Sequence, residues 1–157
     1  MIRLVVSTAM LLSGLVGPVA ATDTEVITEV TGKIREFVAG MAKGEVQAAS
    51  VADEQIIAYS SGGMWEYLSG AEFIASMTEG PKLVAKGYHI NVRLLGDAKD
   101  VAYASYYLGG KITQDGEVIV VDYRTRVSQV LQKDGKNWVI VATHASPLFG
   151  GSGVPAD

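Results

Sequence analysis

The chain contains no cysteine, only four prolines and three phenylalanines in 157 residues, and just 19% of it is charged. The missing cysteine excludes a disulfide framework, a thiolate metal site and a cysteine nucleophile. Scarce charge beside a hydrophobic share of 48% excludes a disordered chain. Bases are the minority: 13 Lys and Arg against 17 Asp and Glu give a formal net charge of −4, with no basic block. Such a chain has no electrostatic footprint for a nucleic-acid backbone, so no nucleic-acid partner is expected. Metal-ligand spacing of the His-x-x-x-His or clustered-acid kind is absent, so neither a metal nor another cofactor is expected. Gly62-Gly63 and Gly109-Gly110 read as turns, because no Lys-Ser/Thr or helix start comes after them to make a phosphate loop. No Gly-x-Ser-x-Gly supports a serine hydrolase. The length fits one domain.

One long apolar run is present, and it stands at the start. Residues 1–21 carry a single charge, Arg3, then an apolar stretch interrupted by Gly14, Gly17 and Pro18, then Val19-Ala20-Ala21. A basic start, a short apolar middle and small residues at the end predict a secretory signal peptide cut after Ala21. The interruptions argue against a spanning helix, so no membrane association is expected after cleavage. The mature protein is then periplasmic or secreted. Residues 22–149 are left as the folded domain, and the Gly-rich stretch 150–157 as a loose tail.

Within the domain the hydrophobic period is first helical. Val26, Ile27, Val30, Ile34, Phe37, Val38 and Met41 share one face of a helix between Thr24, its expected N-cap, and Gly44, its expected stop. A short helix or turn is expected over 45–52. Strands are expected at Gln55–Ser60 and Met64–Leu68, separated by the turn Ser61-Gly62-Gly63. Ser69 and Glu72 form the capping-box pattern of a helix running to about Thr78, and Gly80-Pro81 act as a breaker after it. Period two then takes over. Tyr88, Ile90, Val92 and Leu94 alternate with His89, Asn91 and Arg93, and further strands are expected at Val101–Leu108, Glu117–Gln132 and Trp138–Ser146. Turn residues at Gln114-Asp115-Gly116 and Lys133 to Asn137 separate the last three. Helices followed by a run of antiparallel strands define an α+β class.

Several of these segments resemble a known family. Arg126-Val127-Ser128-Gln129-Val130, Lys133-Asp134-Gly135, Trp138-Val139-Ile140-Val141 and His144-Ala145-Ser146-Pro147-Leu148 are similar to the C-terminal hairpin of the NTF2-like superfamily. The helix Glu36–Glu45, the strand after Ala52-Asp53-Glu54, and Gly70-Ala71-Glu72-Phe73-Ile74 resemble further elements of the same family, in the same order. The nearest branches in pattern are the SnoaL-like and DUF4440 proteins and the association domain of calmodulin-dependent kinase II. The resemblance implies a cystatin-like cone, with N-terminal helices packed on a curved antiparallel sheet. It also implies a hollow that often holds a small apolar molecule, and a convex face that commonly forms a homodimer. Fold at this level leaves function open.

Three functions are expected on this basis. The first is binding of a small apolar or aromatic molecule in the cone. The second is SnoaL-like catalysis (a cyclase, isomerase or hydrolase) through His144 or a pocket acid. The third is a dimeric association module whose cone is filled by Phe37, Tyr59 and Trp65. Isomerase chemistry of the family's kind needs a carboxylate base and an oxyanion donor, and the matching positions here are Tyr59 and Phe37. A phenol is a poor base near neutral pH, and a phenyl ring donates nothing. Whether the domain turns anything over therefore stays open. Glu66 and Asp122 are the strand acids to watch, each of which is alternatively an ordinary solvated carboxylate.

The expected ligand-binding set is Phe37, Tyr59, Trp65, Tyr107, Tyr123, Arg126 and His144, with His144 the candidate catalytic group. Tyrosine and tryptophan suit a ring-bearing ligand because each joins an apolar body to one polar tip. Arg124, Arg126 and Ser128 share one strand face, and Trp138, Ile140, Ala142, His144 and Ser146 share another by simple alternation. If those faces coincide, an arginine and a histidine meet, either around an anion or in a dimer contact. A single bulge in the long strand would exchange the inward and outward sets.

Overall fold

The structure, a computed structural model, describes residues 21–59 and 65–148. The expected signal peptide, the turn at 61–63 and the tail from 150 lie outside the described residues. The elements run α1 (Asp23–Lys43), a 3₁₀ turn (Ala48–Ser50), β1 (Gln55–Tyr59), β2 (Trp65–Ser69), α2 (Gly70–Thr78), β3 (Lys82–Leu95), β4 (Val101–Gln114), β5 (Glu117–Asp134) and β6 (Asn137–Pro147).

α1 begins two residues earlier than its periodicity suggests. Thr22, not Thr24, is the N-cap: Glu25 N–H donates to its Oγ1 at 3.3 Å, and Thr22 N–H donates to Glu25 Oε2 at 2.7 Å. Two orphan amides are thereby satisfied reciprocally. The helix ends at Gly44, where φ is +71° and the amide reaches back to the carbonyls of Gly40 and Met41. A side chain would be strained at that angle. α2 has the capping box read from the sequence, Ser69 with Glu72.

The six strands form one sheet in the order β2-β1-β6-β5-β4-β3. Every neighbouring pair is antiparallel except β1 and β6, which run parallel. That parallel pair is the one departure from the expected antiparallel sheet. It closes a crossover: after β2 the chain passes through α2 to β3 at the opposite edge, and β4, β5 and β6 then return strand by strand until β6 meets β1.

β4 does not stop at Gly109-Gly110. Those glycines lie inside the strand, where β3 passes so close that a Cβ on Gly110 would collide with the Val84 carbonyl. The sheet is interrupted by bulges that bend it. One lies in β3 between Tyr88 and Asn91, where His89 adopts φ +50°. Another lies between Gly110 and Ile112 against β5. A third lies in β6, where Val130 faces Ala142 but Leu131 faces Ile140, leaving Val141 as the extra residue.

α1 lies across the concave side, burying Val30, Ile34, Phe37, Val38 and Met41 against Val92, Ala102, Ala104, Leu131, Trp138 and Ile140. Trp138 is fully buried, and its Nε1–H donates to Glu29 Oε2 on α1 at 3.3 Å. The helical face read from the sequence is thus the one that meets the sheet. Among the described residues no helix is long and apolar enough to cross a membrane.

Candidate functional site

Between the two helices and the C-terminal half of the sheet the concave side opens into a hollow of about 470 Å³. Two aromatic rings make its roof. Phe37 on α1 and Phe73 on α2 stack with ring planes 2° apart and centroids at 6.2 Å. Met41, Met77 and Leu83 extend that apolar wall. The floor is made of inward strand residues, Ala58 from β1, Leu68 and Glu66 from β2, Tyr106 and Leu108 from β4, Tyr123, Thr125, Val127 and Gln129 from β5, and Thr143 and Ala145 from β6, with Tyr59 of β1 at its edge.

Several polar groups interrupt this lining, among them Thr125, Tyr106, Glu66 and Gln129. Thr125 is fully buried and self-contained, its hydroxyl donating to the Ser146 carbonyl at 2.7 Å. Tyr106 is buried, and burial pushes its phenol far above the ordinary range, so it stays a neutral hydroxyl. Glu66 is exposed at the mouth. Gln129 differs from these three. It is 1% exposed, its Nε2 lies 3.5 Å from Thr143 Oγ1, and its Oε1 has no hydrogen-bond partner. A buried acceptor left unsatisfied costs about 1–3 kcal/mol.

The expected site residues divide between two faces of the sheet. Phe37, Tyr59 and Tyr123 border the hollow. Tyr107, Arg126 and His144 do not. They lie on the convex side, in a shallow depression of about 280 Å³ shared with His89, Ser128 and Ser146. Their expected place in the cone is corrected by register. Val127 and Gln129 occupy the inward positions of β5, so Arg126 and Ser128 point outward. The Val141 bulge reverses parity along β6. Trp138 and Ile140 face α1, whereas Ala142, His144 and Ser146 face away, so these five do not share a face.

Arg126 and His144 do come together, with Ser128 opposite His144 and Arg126 Nε donating to Ser146 Oγ at 2.8 Å. Tyr59 stands in register with His144 and meets its ring edge-on at 4.8 Å, at the border between the two faces. Trp65 is placed opposite Tyr59 in the β1–β2 pair by its backbone.

The bulge at His89 similarly moves Tyr88 out of the inward row to which simple alternation assigns it. Tyr88 pairs with Tyr107 on the convex side, and His89 meets Tyr107 edge-on at 6.1 Å. Asp122 is an exposed acid that accepts from Arg124 Nε at 2.7 Å, which leaves Glu66 as the carboxylate bordering the hollow. No cluster of three or more His, Asp or Glu suited to a metal occurs among the described residues. Sequence reasoning missed Gln129, Thr125, Thr143 and the two alanines 58 and 145. Small and amide side chains in a strand announce nothing until their face is known.

No family model and no curated protein sequence matches the chain. Solved structures do. An NTF2-like family protein from Streptomyces avermitilis superposes with a TM-score of 0.67 at 15% identity, covering 82% of this chain and 100% of its own. A ketosteroid isomerase-like protein from Erwinia carotovora atroseptica gives 0.64 at 14% identity, covering 80% and 98%. The calmodulin-dependent kinase II hub homology domain of Chlamydomonas reinhardtii gives 0.62 at 19% identity, covering 79% and 98%. At such identities the likeness is one of architecture, and the chain has the NTF2-like, cystatin-like fold.

Proposed function

We propose that this is an exported, SnoaL-like binding domain that takes a small, largely apolar molecule into the concave hollow. One observation carries the reading: about 470 Å³ of space remains between α1, α2 and the sheet, walled by Phe37, Phe73, Met41, Met77, Leu83 and Leu108. That volume lies within the range of small-molecule sites, and the mix of many apolar walls with a few polar groups is their usual composition. An association module with a filled cone fits this hollow poorly. Catalysis through His144 is disfavoured, because His144 lies on the far side of the sheet. Catalysis through a pocket acid rests on Glu66 alone. Self-association belongs to the convex depression around Arg126 and His144. Two neighbours of this fold are described as a kinase hub homology domain and a kinase association domain, which supports a homodimer for this chain. Export rests on the first 21 residues, and N-terminal sequencing of the mature protein beginning at Thr22 tests it.

The test of binding uses 2-methylnaphthalene as probe, followed by its fluorescence. Saturable one-to-one binding is expected in the wild type. Ala145→Phe, which projects a ring into the hollow, should abolish it, and His144→Ala should leave it unchanged. Equal loss in both variants, or no saturable binding of either 2-methylnaphthalene or 2-naphthol, would refute the reading.

A further inference from the structure

Gln129 stands in a transverse row that takes one residue from each strand. The registers set Glu66 beside Ala58, Ala58 beside Thr143, Thr143 beside Gln129, Gln129 beside Ala104, and Ala104 beside Val92. All six lie on the concave side. Alanines flank the Thr143–Gln129 pair on both sides of its row, and Gln129 itself is 1% exposed. Its outer oxygen is buried and has no partner.

A leucine or methionine would fill this place without such a cost, so the amide is explained by something that enters the hollow. Exchanging the amide's two ends does not remove the problem. It would let Oε1 accept from the Thr143 hydroxyl and leave Nε2 as the unsatisfied end. A hydroxyl group meets either arrangement, since it both donates and accepts.

We propose that Gln129, supported by Thr143, is the polar anchor of the hollow and selects an alcohol or phenol carried on an apolar body. This deepens the binding reading above and rests on it. The apolar walls supply most of the contact area, and the amide decides which of several similarly shaped hydrophobes is retained. A site built to pair one hydroxyl discriminates against the analogue that lacks it, because the buried amide is then left unsatisfied.

The experiment compares 2-naphthol with 2-methylnaphthalene, which differ by a hydroxyl in place of a methyl. The wild type should bind 2-naphthol about tenfold more tightly. In Gln129→Met that preference should fall to within about twofold, while 2-methylnaphthalene binds at least as well as before. Thr143→Val should reduce the preference in part. Urea unfolding provides the second readout: Gln129→Met should be no less stable than the wild type, because an unsatisfied acceptor has been removed.

If 2-methylnaphthalene binds but 2-naphthol binds no better, or if the preference survives Gln129→Met, the anchor is refuted and the apolar hollow stands. A marked loss of stability in Gln129→Met would make the amide a framework group and also refute it. If neither probe binds, the binding reading itself fails and the anchor fails with it.

Discussion

The two sides of strands β5 and β6 are made from alternate residues of the same two segments, yet they differ in kind. The concave side presents Tyr123, Thr125, Val127, Gln129, Thr143 and Ala145 to an apolar hollow. The convex side presents Arg126, Ser128, His144 and Ser146, beside Tyr103 and Tyr107, to a smaller depression of about 280 Å³. Judged as reactive chemistry, the convex set is the richer one. Judged as a container, the concave side offers the larger space, about 470 Å³ against about 280 Å³, and is walled in part by Phe37 and Phe73 from the helices. Residue type and site geometry therefore point in opposite directions here, and within β6 one extra residue, Val141, sets which residues face which side. Parity in a strand is a binary quantity, so a single insertion reverses it for everything downstream.

On the concave side, Trp138→Ala should cost about 3–5 kcal/mol in urea unfolding, because it leaves a cavity under α1 and removes the indole donor to Glu29. Its convex counterpart, Arg126→Ala, should stay within about 0.5 kcal/mol by the same measurement.

Binding separates the faces more gently. Ala145→Phe should weaken 2-methylnaphthalene by more than about tenfold, and His144→Ala by less than about twofold.

The smallest expected effect lies outside both faces, in the capping boxes. The Ser69 backbone amide and hydroxyl hold the Glu72 carboxyl below its ordinary value of 4.5. A lowered folded-state value means stabilisation that is present above that ordinary value and lost as pH falls through the lowered one. Glu72→Gln should therefore be less stable than the wild type at about pH 6, with the gap closing as pH falls below the ordinary value of 4.5 and through the lowered one. A gap independent of pH would assign the effect to helix propensity instead of the charge.

Much of the architecture was legible because its signals are local. The face of α1, the Ser69–Glu72 box, the Gly44 stop and the Asp-Gly turns each depend on residues within one turn of one another. Register was not legible. Trp138-Val139-Ile140-Val141-Ala142 is apolar throughout, so it carries no alternation from which a bulge at Val141 could be read. Alternation puts Tyr88 on the wrong face for a related reason: the bulge is marked by His89 at a positive φ, with no glycine to announce it. Gly109-Gly110 announce a turn and instead permit close passage of β3. Of the expected ligand set, Phe37 lies on a helix whose period is unmistakable and Tyr123 on the inward row of β5. Tyr107, Arg126 and His144 stand out for their chemistry, which carries no information about direction.

The order of amino acids determined the elements, their caps and the class of fold, because backbone preference and hydrophobic period act over a few residues. The side of the sheet on which each strand residue stands, and hence the identity of Gln129 as a buried amide in an apolar hollow, was decided by pairing between distant strands. That pairing depends on where the sheet must bend to close over α1, and the bend is a property of the packed whole.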